Sequence, residues 1–254
     1  MISPIYRLGR KQPLVILSDI HIGAEHFCAR RFEETLRWCT DAGACLLLNG
    51  DLIENALWSG KAGGEMLLDQ AVMPTDQVKL ARDYFKPFAR RGRIVGITRG
   101  NHDSRTRRTS LLDLCDVLAH GLDVPYFGLG GLVRFVTKGA DTYTIALHHG
   151  RSGAANIWLE LDRMLALYPA AELVALGHNH ALDSRQVGHL QVGPDGAERT
   201  AIRWQVRTGS YLGFADYVRE MLLRPSPVGS PIIRFSEAAH QIDVDTRTLS
   251  WLDD

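Results

Sequence analysis

Apolar positions in this chain arrive in short solid runs, each broken by a polar or glycine-containing stretch. Residues 14–18 (LVILS), 44–49 (ACLLLN), 93–98 (RIVGIT) and 172–176 (ELVAL) are too short for helices and rich in branched side chains, so they predict buried strands. Between the first two, residues 25–41 (EHFCARRFEETLRWCTD) space Phe27, Phe32, Leu36 and Cys39 at helical intervals, with Gly43 just beyond as a stop. Residues 75–91 predict a helix opening at Thr75 with Asp76 in its first turn, and about 154–167 predict another. Strands alternating with helices imply βαβ crossovers and a largely parallel sheet.

After Pro125 the pattern changes. Residues 132–136 (LVRFV) and 142–148 (TYTIALH), separated by KGAD, predict a hairpin. From 186 onwards the chain reads as mostly β. A Pro-Asp-Gly turn signal in VGPDGAERT lies between QVGHLQ and AIRWQV, and the tail, IIRF…HQIDVDTRTLSWL, predicts two strands around an Asp-Thr turn. No repeat, low-complexity tract or linker interrupts this order. One domain over residues 1–254 is expected, an α/β fold with two sheets packed together and flanked by helices.

The chemistry sits where the strands end. Asp19-Ile20-His21 follows LVILS, Gly50-Asp51 follows ACLLLN, and Gly100-Asn101-His102-Asp103 follows RIVGIT. His148-His149-Gly150 follows TIAL, and Gly177-His178-Asn179-His180 follows ELVAL. In open α/β sheets the carboxyl ends of the strands line one edge, where ligand crevices form. Each block alone is weak, because Asp-x-His occurs by chance and Gly-Asp is usually a turn. The ordered set argues for convergence. Carboxylate, amide and imidazole without thiolate suit Mn, Fe, Zn, Co or Ni rather than a structural zinc staple. There are more donors than one ion needs, so two divalent transition-metal ions are expected, with Asp51 central enough to bridge them.

These five blocks, in this order from residue 14 to 180, resemble the calcineurin-like metallophosphoesterases. The resemblance implies a four-layer αββα sandwich with two mixed β-sheets. It implies that Asp19, His21, Asp51 and His180 hold the first ion, and that Asp51, Asn101, His178 and one of His148 and His149 hold the second. The strand pattern leaves that choice of histidine open. It further implies hydrolysis of a phosphate ester, on a small molecule or a nucleotide, by attack of a metal-activated hydroxide. His102 then stabilises the transition state or protonates the leaving group, with Asp103 orienting that imidazole or starting a helix. A nuclease role is the alternative on the same fold, and a non-catalytic scaffold a more remote one. Purple members carry a Tyr three residues after the bridging Asp. Here that position is Glu54, which argues against a purple Fe(III) centre and for a site completed by His21; Glu54 is read as a helix cap or a solvent-facing residue rather than a ligand.

Arg99 and Arg105 are candidates to clamp substrate phosphate, against a plain solvated loop that would also hold Arg107 and Arg108. Arg151 is weighed the same way. Trp58, on a Gly-rich stretch, is expected to pack rather than to rim the substrate, and the aromatics near Tyr211, Phe214 and Tyr217 to lie in the core or at a partner interface.

Composition changes little. The 254 residues are 45% hydrophobic and 23% charged with a formal net charge of zero, as in globular chains, and predict neither a nucleic-acid nor a membrane partner. No apolar run approaches the roughly 20 residues that span a bilayer. MISPIYRLGRKQP lacks the apolar core of a secretory signal, and Cys28, Cys39, Cys45 and Cys115 show no CxxC spacing. A cytoplasmic protein with free thiols is the expectation.

Overall fold

The computed structural model of the chain describes residues 4–57, 70–150, 157–192, 195–213 and 226–251. Its strands are β1 (Ile5–Arg7), β2 (Leu14–Leu17), β3 (Cys45–Asn49), β4 (Ile94–Thr98), β5 (Gly130–Val136), β6 (Thr142–His148), β7 (Leu173–Leu176), β8 (Leu182–Val192), β9 (Glu198–Thr208), β10 (Val228–Gly229), β11 (Ile232–Phe235), β12 (Ile242–Asp245) and β13 (Ser250–Trp251). Its helices are α1 (Ala29–Asp41), α2 (Pro74–Ala89), α3 (Ser104–Ser110), α4 (Leu114–Leu122) and α5 (Ile157–Leu167).

One sheet has the order β12-β11-β2-β3-β4, the other β1-β5-β6-β7-β9-β8, and β10 pairs with β13. Both large sheets are mixed. β2, β3 and β4 run parallel while β11 lies antiparallel to β2. β6, β7 and β9 run parallel, β5 is antiparallel to β6 but parallel to β1, and β8 is antiparallel to β9.

Alternation along the strands builds the layers. Val15 and Leu17 of β2 face Phe32 and Leu36 of α1 and Phe85 of α2, in a core that Leu118 and Leu122 of α4 complete. Leu14 and Ile16 point the other way, into a second core shared with Phe135, Tyr143, Ile145 and Leu173 of the opposite sheet. Ala146 and Val174 turn outward to Leu161 and Met164 of α5. The order is helix, sheet, sheet, helix, as the resemblance implied.

Several elements depart from the sequence reading. Residues 25–28 are not helical: Phe27 bridges Leu212, and Cys28 N–H donates to Tyr211 O. β8 begins at Leu182, ahead of the expected 186. β1 was not expected; it is a short, largely exposed strand held by pairing with β5. Nor were α3 and α4. α3 buries no side chain and so shows no apolar period. α4 does show one, at Cys115, Leu118, Ala119 and Leu122, opened by Asp113, whose carboxylate accepts from Asp116 N–H. The Asp-Thr turn of the tail is present, with Asp245 accepting from Arg247 and Thr248 N–H. Among the described residues no helix is long and apolar enough to cross a membrane.

Candidate metal centre

The carboxyl ends of β2, β3 and β4 in one sheet meet those of β6 and β7 in the other. Asp19 and His21 follow β2, Asp51 follows β3, Asn101 and His102 follow β4, His149 follows β6, and His178 and His180 follow β7. Asp19, His21, Asp51, His178 and His180 all have φ between 47° and 72°. The left-handed region costs a non-glycine residue on the order of 1–3 kcal/mol and persists only where surroundings over-determine it. Here they do: Asp19 N–H donates to Gly50 O, Ile20 and His21 N–H to Asp51 O, and Tyr211 N–H to Asp19 O, all within 2.8–3.0 Å. Two glycines are required by close approach. A Cβ on Gly100 would run into Asp51 Oδ1, and one on Gly177 into Ser18 Oγ and Asp19 Oδ2.

Three sets of ligand-type atoms result, each mutually within 4.8 Å: Asp19, His21 and His180; His21, Asp51 and His102; Asp51, His149 and His178. Asp51 belongs to two of them. Its Oδ2 lies 3.1 Å from His149 Nε2 and 4.0 Å from His21 Nε2. Asn101 Oδ1 is also 3.1 Å from His149 Nε2, and His180 Nε2 is 3.4 Å from Asp19 Oδ1. Tautomers are set from behind. His21 Nδ1 donates to Glu54 Oε2 at 2.8 Å, and His149 Nδ1 to Asn49 O at 2.9 Å, which directs both Nε2 atoms inward. His21 Nε2 is buried and has no hydrogen-bond partner. An orphaned imidazole nitrogen among carboxylates, an amide and further imidazoles fits divalent metal ions.

Charge supports that fit. Burial opposes ionisation of Asp51, but the imidazoles of His149 and His102 outweigh it and hold the carboxyl well below the usual carboxylate range. Burial pushes Asp19 up, against the pull of His149. Burial also opposes charging of His149, yet the Asp51 and Asp19 carboxylates lift its pKa to about 10. In His178 and His180 burial wins, helped by His149 and His21 respectively, and both pKa values fall. The carboxylates thus recruit a proton where a cation would neutralise them.

Not every expected residue arrives. His148 is the last residue of β6 and by alternation turns toward α5, where it lines a cavity of about 260 Å³ with Arg163, Met164 and Leu176. Its Nδ1 accepts from Gly150 N–H at 2.8 Å. His149, one residue on, turns into the cluster. Asp103 does not touch the His102 ring and takes its other expected place, at the start of α3; it is buried, and its carboxylate accepts from Leu52, Ile53 and Gly100 N–H, bracing the Asp51 loop. Arg99 is corrected too, since its guanidinium pairs with Asp113 at 3.1 Å, on a carboxylate that also accepts from Tyr126 OH. Arg107 approaches the same Asp113. Arg105 does reach the site, with Nη1 2.8 Å from Glu54 Oε1 and Nη2 3.1 Å from His102 Nε2. Tyr211 is fully buried as core, donating to Thr35 or Ser230. Trp58, Arg151, Phe214 and Tyr217 lie outside the described residues.

Glu54 is the residue that sequence reasoning misjudged. It neither caps a helix nor faces water. It is 7% exposed, and besides His21 it holds His102 Nδ1 at 3.1 Å. Burial works against its charge, but bonds from His102 and His21 depress its pKa. Its spacing, three residues after Asp51 in the ligand loop, was the available signal.

No curated protein matches the chain. Among solved structures it resembles a conserved uncharacterized protein from Streptococcus pneumoniae TIGR4, a predicted phosphoesterase, at 12% identity and TM-score 0.43, covering 97% of this chain and 95% of that one. It resembles Vacuolar Protein Sorting 29 from Cryptosporidium parvum at 14% identity and TM-score 0.49, covering 93% and 97%. A third likeness is to wild-type Vps29 complexed with zinc from Entamoeba histolytica, at 14% identity and TM-score 0.39, covering 92% and 97%. None of these likenesses bears on activity. The family model for calcineurin-like phosphoesterases matches residues 12–182, which contain every ligand-type residue of the cluster, and the chain belongs to that family.

Proposed function

We propose that this chain is a two-metal phosphoesterase, with Asp19, His21, Asp51 and His180 holding one ion and Asp51, Asn101, His149 and His178 the other. The observation that carries the reading is the place of Asp51, which belongs to two of the three ligand-type sets, with imidazoles on both sides. Manganese is the first candidate, with Fe, Zn, Co or Ni as others. Two divalent ions there would supply positive charge to the phosphoryl oxygens and lower the pKa of water in the site.

The chain's own residues do the rest. Glu54 fixes the His102 proton on Nδ1, leaving Nε2 toward the substrate side and Arg105. Once protonated, His102 Nε2 donates to a phosphoryl oxygen or gives its proton to the departing alkoxide. Arg105 moves from Glu54 and His102 to the phosphate oxygens, where a guanidinium can bind in a bidentate manner. Asp103 keeps Asp51 in place through the backbone. Phosphate mono- and diesters of small molecules or nucleotides are the substrates. The same reading takes residues 1–254 as one domain, supported by the joining of β11 to β2 and of β1 to β5. It places the protein in the cytoplasm, supported by the buried free thiols of Cys39, Cys45 and Cys115.

The test is hydrolysis of mono- and bis-p-nitrophenyl phosphate with added Mn. His102→Ala should keep the ions and lose about 10²–10⁴-fold in turnover. Equal loss of ions and turnover would make His102 structural, and cleavage of DNA with negligible ester turnover would replace this substrate class by nucleic acid.

A further inference from the structure

β8 and β9 outrun the sheet they belong to. β9 pairs with β7 only from Trp204 to Arg207, whereas β8 and β9 pair with each other from Leu182–Thr208 out to Val192–Glu198. Residues 187–192 with 198–203 are therefore a two-stranded ribbon, and β8 is the outer strand of its sheet. Such a ribbon is marginal in water unless one face is covered. Register puts Gly188, Leu190 and Val192 on one face with Ile202, Thr200 and Glu198. On that face Leu190, Val192 and Ile202 are 72%, 70% and 51% exposed.

Among the described residues the outer edge is also unguarded. Trp204 N–H donates to Glu172 O, so Trp204 and, by alternation, Ile202 and Thr200 turn their backbone groups away from β8. Their register partners Gln186, Gly188 and Leu190, and with them Val192, turn theirs to the free edge of β8. Edge strands are normally blunted by charge, Pro or a bulge. Gln186–Val192 reads QVGHLQV, without a charged residue or Pro, and pairs with β9 without a register shift.

We propose that a second copy of this chain adds to β8, antiparallel, about a two-fold axis at Leu190. Side chains single out that register. The two Leu190 side chains meet, and Val192 of each copy lies over Gly188 of the other, where the missing side chain leaves Ile202 open to contact. On the opposite face His189, whose Nδ1 is buried without a partner, comes opposite the Gln191 amide. An axis at His189 would instead oppose two imidazoles and set Val192 against Gln186. An axis at Gly188 would set Leu190 against Gln186. The contact is isologous, so it closes after two copies rather than growing into a fibre. It does not rest on the phosphoesterase reading.

The 254-residue chain should sediment at twice its monomer mass at micromolar concentration. Leu190→Lys should halve that mass while leaving the circular dichroism melt and metal uptake unchanged. Directly opposed, hydrogen-bonded Cα atoms in an antiparallel pair are about 5.5 Å apart, within disulfide range. Leu190→Cys should therefore cross-link across the axis on mild oxidation, while wild type, with its four native cysteines, and Gln186→Cys should not. A monomeric wild type, a Leu190→Lys variant that stays dimeric, or cross-linking of Leu190→Cys no faster than Gln186→Cys would each overturn the proposal.

Discussion

Glu54 holds two histidines and one arginine with a single buried carboxylate, through His21 Nδ1, His102 Nδ1 and Arg105 Nη1. Glu54→Gln keeps the shape but loses the charge and offers donors where acceptors are needed. Metal affinity and turnover should each fall about 10–100-fold, as for other carboxylates standing behind a ligand imidazole. Metal titration alongside steady-state rates checks this, and unchanged values would make Glu54 a bystander. His149 offers a second prediction. Without an ion its neighbours keep it protonated up to about pH 10, so loading at neutral pH must expel that proton. Apparent affinity should therefore climb as pH rises toward 10. Calorimetry in buffers of different ionisation enthalpy should register at least one proton released per chain loaded; none released would contradict the assignment. At this scale the sequence was legible for ligand types and silent on orientation. His148 and His149 are equal as letters, and only the facing of β6 separates them. Glu54 and Arg99 were misjudged for one reason: a charged side chain in a loop spends itself on whichever partner folding brings, and those partners are distant in sequence.

The elements were legible where burial imposes a period. β2, β3, β4 and β7 are buried at every position, and each was visible as a short apolar run. β1 and α3 were invisible because pairing and loop geometry hold them, without an apolar face of their own. What the strands accomplish is delivery, each setting its terminal loop against the next so tightly that side-chain volume is excluded. Gly177→Ala tests this. Its Cβ has no room beside Ser18 and Asp19, and overpacking of this kind costs typically 1–3 kcal/mol. The thermal midpoint in chelator should drop, and the ion proposed at Asp19 should bind more weakly; a variant with wild-type melting and uptake would mean the close approach is not real.

For the whole molecule, the sandwich explains why residues from 19 to 180 meet. Parallel strands of both sheets end on the same side, and a core of Leu14, Ile16, Phe135, Tyr143 and Ile145 locks the sheets together. The ordered ligand blocks made this convergence readable in advance, whereas the β8–β9 ribbon, lying beyond the last of them, carried no motif to read. Net charge of zero said little, because the charges that matter are buried and local. The account stands on Asp51 serving two ions at once. The direct measurement is elemental analysis of the folded chain, stripped with chelator, reloaded with Mn and freed of excess, beside Asp51→Asn. Two ions per wild-type chain, with most of both lost in the variant, is the result predicted. A wild-type chain that refills to one ion or none, or a variant that still holds two, would contradict it.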